Sequence, residues 1–414
     1  MRPALWSVLL QALGSGATFG AAALVAWRFG LAAQGEFGLL RTWTDALAVA
    51  LALGLPQGLL HLQYREGVPA SVLLAWARRY LQFLTTGMLA VVGLLLWHSP
   101  LAPPARGLQA ATIAMALPFA VTGMLCRSFV LKERGLVLYA AVTSLPSLLI
   151  FAGTVGMCVT GRPSGFEWVL LAAAVISASV NVVLVRNASP PAAPVMHVPT
   201  RILWSISLQT WVQGLMAALL PALLLTVVGW RGATLAQVGI VSLGLQIYQL
   251  FGVLAAYSAP MIYDRLARAV GPVSVMATFS ARRPRFGASV AGGLVVVALL
   301  GPWIAARLLP SLGVHLLSIT MLAVAGLISL MVRLLWTVSQ ARGQIRELSI
   351  QAIWRLALAC GLAGALVPTL GAALTVPLAL LIVETLTLGR LAISLRLFRT
   401  AVAGTEGRST KLHR

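Results

Sequence analysis

A long apolar opening segment occurs twice in this chain, and that repetition governs what the chain can fold into. Leu5-Trp6-Ser7-Val8-Leu9-Leu10-Gln11 returns as Leu203-Trp204-Ser205-Ile206-Ser207-Leu208-Gln209, a shift of 198 within 414 residues. Each copy opens an almost uncharged run long enough to be the first membrane span of one half. Further matches keep the same order. Trp27-Arg28 recurs as Trp230-Arg231, and Gly35-Glu36-Phe37-Gly38 is echoed by Ala236-Gln237-Val238-Gly239. Ala77-Arg78-Arg79 recurs as Ala281-Arg282-Arg283, and Arg134-Gly135 as Arg342-Gly343. The shifts of 198, 203, 201, 204 and 208 drift only by small insertions and deletions. Five matches in register predict a duplicated helical membrane protein, an architecture of transporters.

Charged residues make up 9% of the chain and hydrophobic ones 59%, whereas a soluble domain carries about 25% charged residues. The apolar runs are continuous rather than alternating, which selects helices over barrel strands. The expected fold is all-α and polytopic, with about twelve spans near 5–27, 40–62, 80–97, 108–131, 138–160, 168–185, 203–229, 238–260, 287–306, 315–337, 349–369 and 373–396. Arg2 followed by Leu5–Leu10 mimics a signal peptide, but the run continues to Trp27 and is repeated at 203, so it reads as a span. These spans group into an N-terminal six-helix lobe (1–186), a Pro-rich linker (187–202), a C-terminal six-helix lobe (203–396) and a basic tail (397–414). Segments 66–79 and 264–286 mix apolar residues with Arg and suit the membrane surface.

The formal net charge of +21 has a topological origin. With the N-terminus in the cytoplasm, twenty Lys and Arg fall on the cytoplasmic side, six on the other, and four (Arg127, Arg333, Arg355, Arg390) inside spans. That asymmetry predicts two cytoplasmic termini in a bacterial inner membrane, with the bilayer as partner. No soluble module exists to carry the basic residues to nucleic acid.

Neither Lys132 nor Lys411 follows a P-loop pattern, the five histidines are scattered, and no nucleophile–base constellation is legible. Cys126, Cys158 and Cys360 lie in apolar runs without metal-ligand spacing and read as packed, reduced thiols. The chain is therefore expected to be no enzyme and to use no cofactor or metal.

Polar residues within spans carry the functional information. Ser7, Gln11 and Ser15 share a face of span 1, with Thr18 close to it, and Ser205, Gln209 and Gln213 repeat the pattern in span 7. Such amides either join helices or line a polar cavity. Arg127 and Arg333 hold equivalent places in the two halves, and either snorkel to the cytoplasmic surface or face an anionic substrate. Arg41 and Asp45 are spaced i, i+4 near the outer end of span 2 and are expected to pair, Asp45 being the first half's only buried acid. Folding spans 11 and 12 about residue 371 brings Arg355 within a turn of Glu384, which predicts a structural salt bridge. Arg28 and Arg231 end spans 1 and 7, either as interfacial anchors beside Trp27 and Trp230 or as a ring at an outer mouth.

Gln34-Gly35-Glu36-Phe37-Gly38-Leu39 and Leu53-Gly54-Leu55-Pro56-Gln57-Gly58-Leu59 resemble the first hairpin of Wzx-type polysaccharide transporters, of the multidrug/oligosaccharidyl-lipid/polysaccharide (MOP) exporter superfamily. The similarity extends to Gln237-Val238-Gly239 and Pro260 in span 8. The resemblance implies a MATE-like pair of six-helix lobes. Between them, the head group of an undecaprenyl-diphosphate oligosaccharide would cross by alternating access, alongside other polysaccharide assembly proteins. Drug exporters of the superfamily use N-lobe carboxylates, and here span 1 has none. Peptidoglycan-precursor flippases carry two further spans, and no room for them is expected after residue 396. The alternative is a proton- or sodium-coupled drug or cation antiporter. For a glycan substrate, Gln11, Ser15, Gln209, Gln213, Gln246, Gln249, Tyr248 and Tyr257 would meet sugar, and Arg41, Arg127 and Arg333 the diphosphate. If protons drive transport, Asp45 and Glu384 are the candidate carriers.

Overall fold

The computed structural model describes residues 2–97, 106–162, 165–186, 198–268, 315–341 and 345–409, with residues 303 and 307. Outside them lie the expected ninth span save Trp303, most of the linker, the surface segment from 269, the repeat partners Ala281-Arg282-Arg283 and Arg342-Gly343, and the tail from 410. The described residues form twelve helices. They are α1 (Arg2–Phe29), α2 (Leu31–Ala52), α3 (Leu55–Tyr64), α4 (Ala70–Trp97), α5 (Arg106–Arg134) and α6 (Leu136–Thr160). They continue as α7 (Phe166–Arg186), α8 (Thr200–Trp230), α9 (Leu235–Arg268), α10 (Leu316–Ala341), α11 (Ile345–Leu370) and α12 (Ala372–Ser409). Nine of the helices are long and apolar enough to cross a membrane, and α2 with α3 make a tenth, bent span. Helices are the solution that apolar runs of this length require, since hydrocarbon offers backbone groups no other partner. The helix α4 covers the third expected span.

The structure divides into two compact units, Met1–Leu243 and Gly244–Arg414. This division falls within α9, because α2 and α3 of the first sequence half pack against α8. The compact units and the duplicated halves are thus different partitions of the chain. In the first unit α5 is the hub, touching α2, α3, α4, α6 and α7, while α1 lies along α6. In the second, α12 packs on α10 and α11, and Phe251 of α9 joins Ala323 and Leu330 of α10 in a small buried cluster.

The second span is broken on purpose. The chain turns by 47° between α2 and α3, through Leu53 (φ 47°) and Gly54 (φ 69°), both left-handed. A left-handed Leu is strained, on the order of 1–3 kcal/mol, and the surroundings hold it there. The break loosens the last carbonyls of α2. Trp211 Nε1 of α8 donates to the Ala50 carbonyl at 2.9 Å, and the Tyr80 hydroxyl of α4 to that of Leu51 at 2.9 Å. Pro56 in the first turn of α3 leaves no helical N–H wanting. Glycine is required at 54, since a methyl there would fall on the Ser207 carbonyl oxygen of α8. A methyl at Gly58 would likewise strike the Ser207 hydroxyl.

Candidate functional site

The polar residues of the first unit converge from α1, α2, α5 and α6. Arg41 Nη2 of α2 donates to the Thr18 hydroxyl of α1 at 3.0 Å, and Thr18 lies 3.0 Å from the Ser147 hydroxyl of α6. Arg41 and Asp45 meet at 3.9 Å, as their spacing predicts. Asp45 also feels the charge of Arg127 on α5, which in turn interacts with Tyr139 of α6. Arg41 is buried, yet its Nη1 has no hydrogen-bond partner, and neither does the buried Nε of Arg127. Two guanidiniums with spare donors therefore flank one carboxylate, leaving the cluster with one net positive charge.

Asp45 corrects the sequence reading, which took it as buried. Its side chain is 71% exposed, although Arg41, Thr42, Thr44 and Ala46 around it are buried. A carboxylate beside two arginines at this depth faces water-accessible space rather than lipid, since an ion exposed to hydrocarbon is too costly.

The glutamine stripes divide. On α1, Ser7 and Gln11 are buried, and half-buried Ser15 donates to the Gln11 carbonyl at 3.0 Å. On α8, Gln213 is buried while Ser205 and Gln209 are exposed. The hydroxyl packed into the interior of α8 is instead Ser207, set against Gly54 and Gly58. On α9, Gln246 is buried and Gln249 half-buried; the Tyr257 side chain lies outside the described residues. Arg28 and Arg231 are both exposed, beside exposed Trp27 and Trp230. Arg28 Nε reaches the Cys158 carbonyl at 3.4 Å near the end of α6, a favourable place for a cation.

The second unit holds a buried ionic network. Chain reversal at Gly371 brings α12 back along α11, and Arg355 Nε donates to Glu384 Oε1 at 2.9 Å, the salt bridge that the hairpin register predicts. Arg355 is 3% exposed and Glu384 0%. The Tyr248 hydroxyl of α9 also donates to Glu384, and Arg355 Nη2 reaches Ser329 of α10 at 3.1 Å. Tyr248 is therefore committed to this network and unavailable to a sugar, contrary to the sequence expectation. An aromatic on a polar helix face reads the same in sequence whether it lines a cavity or closes an ion pair. Trp336 covers the Arg355 guanidinium at 5.8 Å and donates to Gln351 Oε1 at 3.2 Å. Arg333 lies against Gly252, its Nε buried without a partner. Nothing in the residue pattern singles out Ser329, one of many serines in spans.

Among the described residues no group of three or more His, Cys, Asp or Glu could hold a metal ion. The three cysteines are free.

No family model matches the chain, and no curated protein sequence does. Solved structures do. An inward-facing multidrug-resistance MATE transporter of the MOP superfamily is similar with a TM-score of 0.68 at 14% identity, over 96% of this chain and 99% of its own. An outward-facing MATE structure gives 0.67 at 16%, over 97% of each chain. A MOP superfamily transporter from Pyrococcus furiosus, described as having a binding pocket of reversed polarity, gives 0.58 at 15%, over 97% and 96%. Over nearly its whole length, the chain has the fold of MATE-type transporters of the MOP superfamily.

Proposed function

We propose that this protein is a flippase that carries an anionic lipid-linked oligosaccharide across a bacterial inner membrane by alternating access, with both termini cytoplasmic. The observation that carries the reading is the cluster of Arg41 and Arg127, whose buried donors lack partners while Asp45 stays accessible between them. Guanidinium donors of this kind suit the oxygens of a diphosphate, which accept charge-assisted hydrogen bonds. Gln11, Ser15, Gln209, Gln213, Gln246 and Gln249 would meet sugar hydroxyls. Arg333 would add positive charge, and Arg28 and Arg231 would mark the outer mouth. Fold neighbours in inward- and outward-facing forms support alternating access as the mode of movement.

Mass spectrometry of membrane lipids from cells lacking the protein tests this. A diphosphate-linked oligosaccharide should accumulate and the surface glycan should disappear. Accessible Asp45 favours one rival, a cation or drug antiporter driven by protons. On that reading lipid-linked glycans stay unchanged, uptake of cationic dyes changes, and Asp45→Asn abolishes transport in a protein that still inserts.

A further inference from the structure

Arg41 does not close on the acid nearest to it in sequence. Asp45 follows it by four residues on α2, a spacing that brings such side chains together, yet Arg41 Nε and Asp45 Oδ2 stand 3.9 Å apart. That is too long for a hydrogen bond, which needs about 2.7–3.2 Å. The bond that Arg41 does make goes to a neutral group on another helix, since its Nη2 donates to the Thr18 hydroxyl of α1 at 3.0 Å. A carboxylate is the stronger acceptor of the two, because an ionised partner roughly doubles the strength of a hydrogen bond. The weaker acceptor must therefore be held in place, and the packing of α1 on α6 does this.

The two helices approach closely at small residues. A methyl on Gly14 would lie 2.7 Å from the Ser144 side chain, and one on Gly20 would lie 3.0 Å from the Phe151 ring. The Ser144 hydroxyl donates to the Leu10 carbonyl at 2.8 Å. These contacts fix the register, and one turn further along Thr18 meets the Ser147 hydroxyl at 3.0 Å. The Gly14 carbonyl lies 3.1 Å from the same Thr18 oxygen. A threonine hydroxyl has one proton and two lone pairs. Arg41 occupies a lone pair, so the proton goes to Ser147 or to Gly14, and either partner leaves the oxygen aimed at Arg41. Arg41 is 8% exposed and has little room to swing while this hydroxyl holds it. Its Nη1 stays without a partner.

We propose that Thr18 is a positioning residue of the anion site: its hydroxyl, backed by Ser147 and the Gly14 carbonyl, holds Arg41 off Asp45 and keeps Nη1 free for a phosphate oxygen. The inference rests on the diphosphate reading above. Without the hydroxyl, Arg41 closes on Asp45. A closed pair neutralises its charge and takes the donors that a diphosphate needs. Thr18 thus acts on the substrate only through Arg41, and only because Asp45 competes for the same guanidinium.

The test measures binding of inorganic pyrophosphate to the purified full chain in detergent by titration calorimetry. Thr18→Val replaces the hydroxyl by a methyl of the same shape and should weaken binding about tenfold, the low end for a hydrogen bond to a charged group. Thr18→Ser keeps the hydroxyl and should bind within about threefold of the parent. The decisive readout is non-additivity. In an Asp45→Asn background Arg41 has no charged acceptor to close on, so Thr18→Val should cost less than about twofold there. A merely structural Thr18 would lose the same factor in both backgrounds, and that result overturns the inference. A Thr18→Val variant that binds as the parent does also overturns it. Thr18→Ala removes the same hydroxyl with a smaller side chain and guards against misfolding of the valine variant, elution as a single species on size exclusion being the check on both. A parent that binds no pyrophosphate overturns the diphosphate reading and this inference with it. A parent that binds, and is indifferent to Thr18, overturns this inference alone.

Discussion

Replacing Glu384 by Leu should destabilise the protein far more than replacing Arg355 and Glu384 together. In the single variant Arg355 stays 3% exposed without its carboxylate, and breaking a buried pair from one side costs about 3–5 kcal/mol. The Tyr248 hydroxyl keeps Ser329 at 3.2 Å, so the loss concentrates on the guanidinium. For a unit the size of Gly244–Arg414, each kcal/mol moves a melting midpoint by roughly 2–4 °C, which gives a drop on the order of 10 °C. Arg355→Met with Glu384→Leu removes both charges and fills the space, and such replacements are often neutral or stabilising. The double variant should therefore melt within a few degrees of the parent. The assay is the fraction of monodisperse protein remaining after heating in detergent, read on size exclusion, for the parent, both singles and the double. A double variant as unstable as the sum of the singles would show no coupling and refute the argument. So would a Glu384→Leu single variant that melts with the parent.

Two further predictions concern the first unit. Arg41→Gln and Arg127→Gln should each insert normally but weaken engagement of a diphosphate by roughly ten- to a hundredfold, since hydrogen bonds to charged groups are worth about 1.5–3 kcal/mol; complementation of surface glycan in a deletion strain checks this, and full complementation by both variants would remove the pair from the site. Trp211→Phe should lower stability by about 0.5–1.5 kcal/mol, the net worth of one hydrogen bond, since the Ala50 carbonyl still accepts from the Leu53 N–H at 3.4 Å; the readout is a lower melting midpoint, which Tyr80→Phe should also show through Leu51.

The spans were legible because hydrocarbon demands length and continuity, both written in composition. The Arg355–Glu384 pair was legible because a hairpin about a fixed residue converts sequence spacing directly into spatial register. Exposure was not. Asp45 and Glu384 look alike in sequence, each an isolated acid in a span, and which one meets water depends on neighbouring helices distant in the chain. The same limit applies to Tyr248, and to Ser207, which outranks Ser205 in burial although both lie near the repeated Gln209. The two strings that resemble the polysaccharide transporters turn out to hold two glycine crossings, Gly35 and Gly38 on α9 and Gly54 and Gly58 on α8. Short motifs of this kind specify how close two backbones come, and so carry fold more than substrate.

That distinction bears on energy coupling. A carboxylate can relay protons only if water reaches it in some state and its charge is free to change. Glu384 is fully buried and accepts from both Arg355 and Tyr248, so neutralising it would leave the guanidinium uncompensated; its role is to hold α9, α11 and α12 together. Asp45 has one loose partner at 3.9 Å and an accessible face, so its protonation disturbs little of the packing. If a carboxylate of this protein couples transport to protons, the structure favours Asp45. Protonating Asp45 would raise the positive charge of the Arg41–Arg127 cluster and strengthen its hold on an anion, whereas ionised Asp45 would compete with that anion for the same donors. On the proposed reading, a single accessible acid between two arginines would link proton occupancy to anion affinity with no second site required.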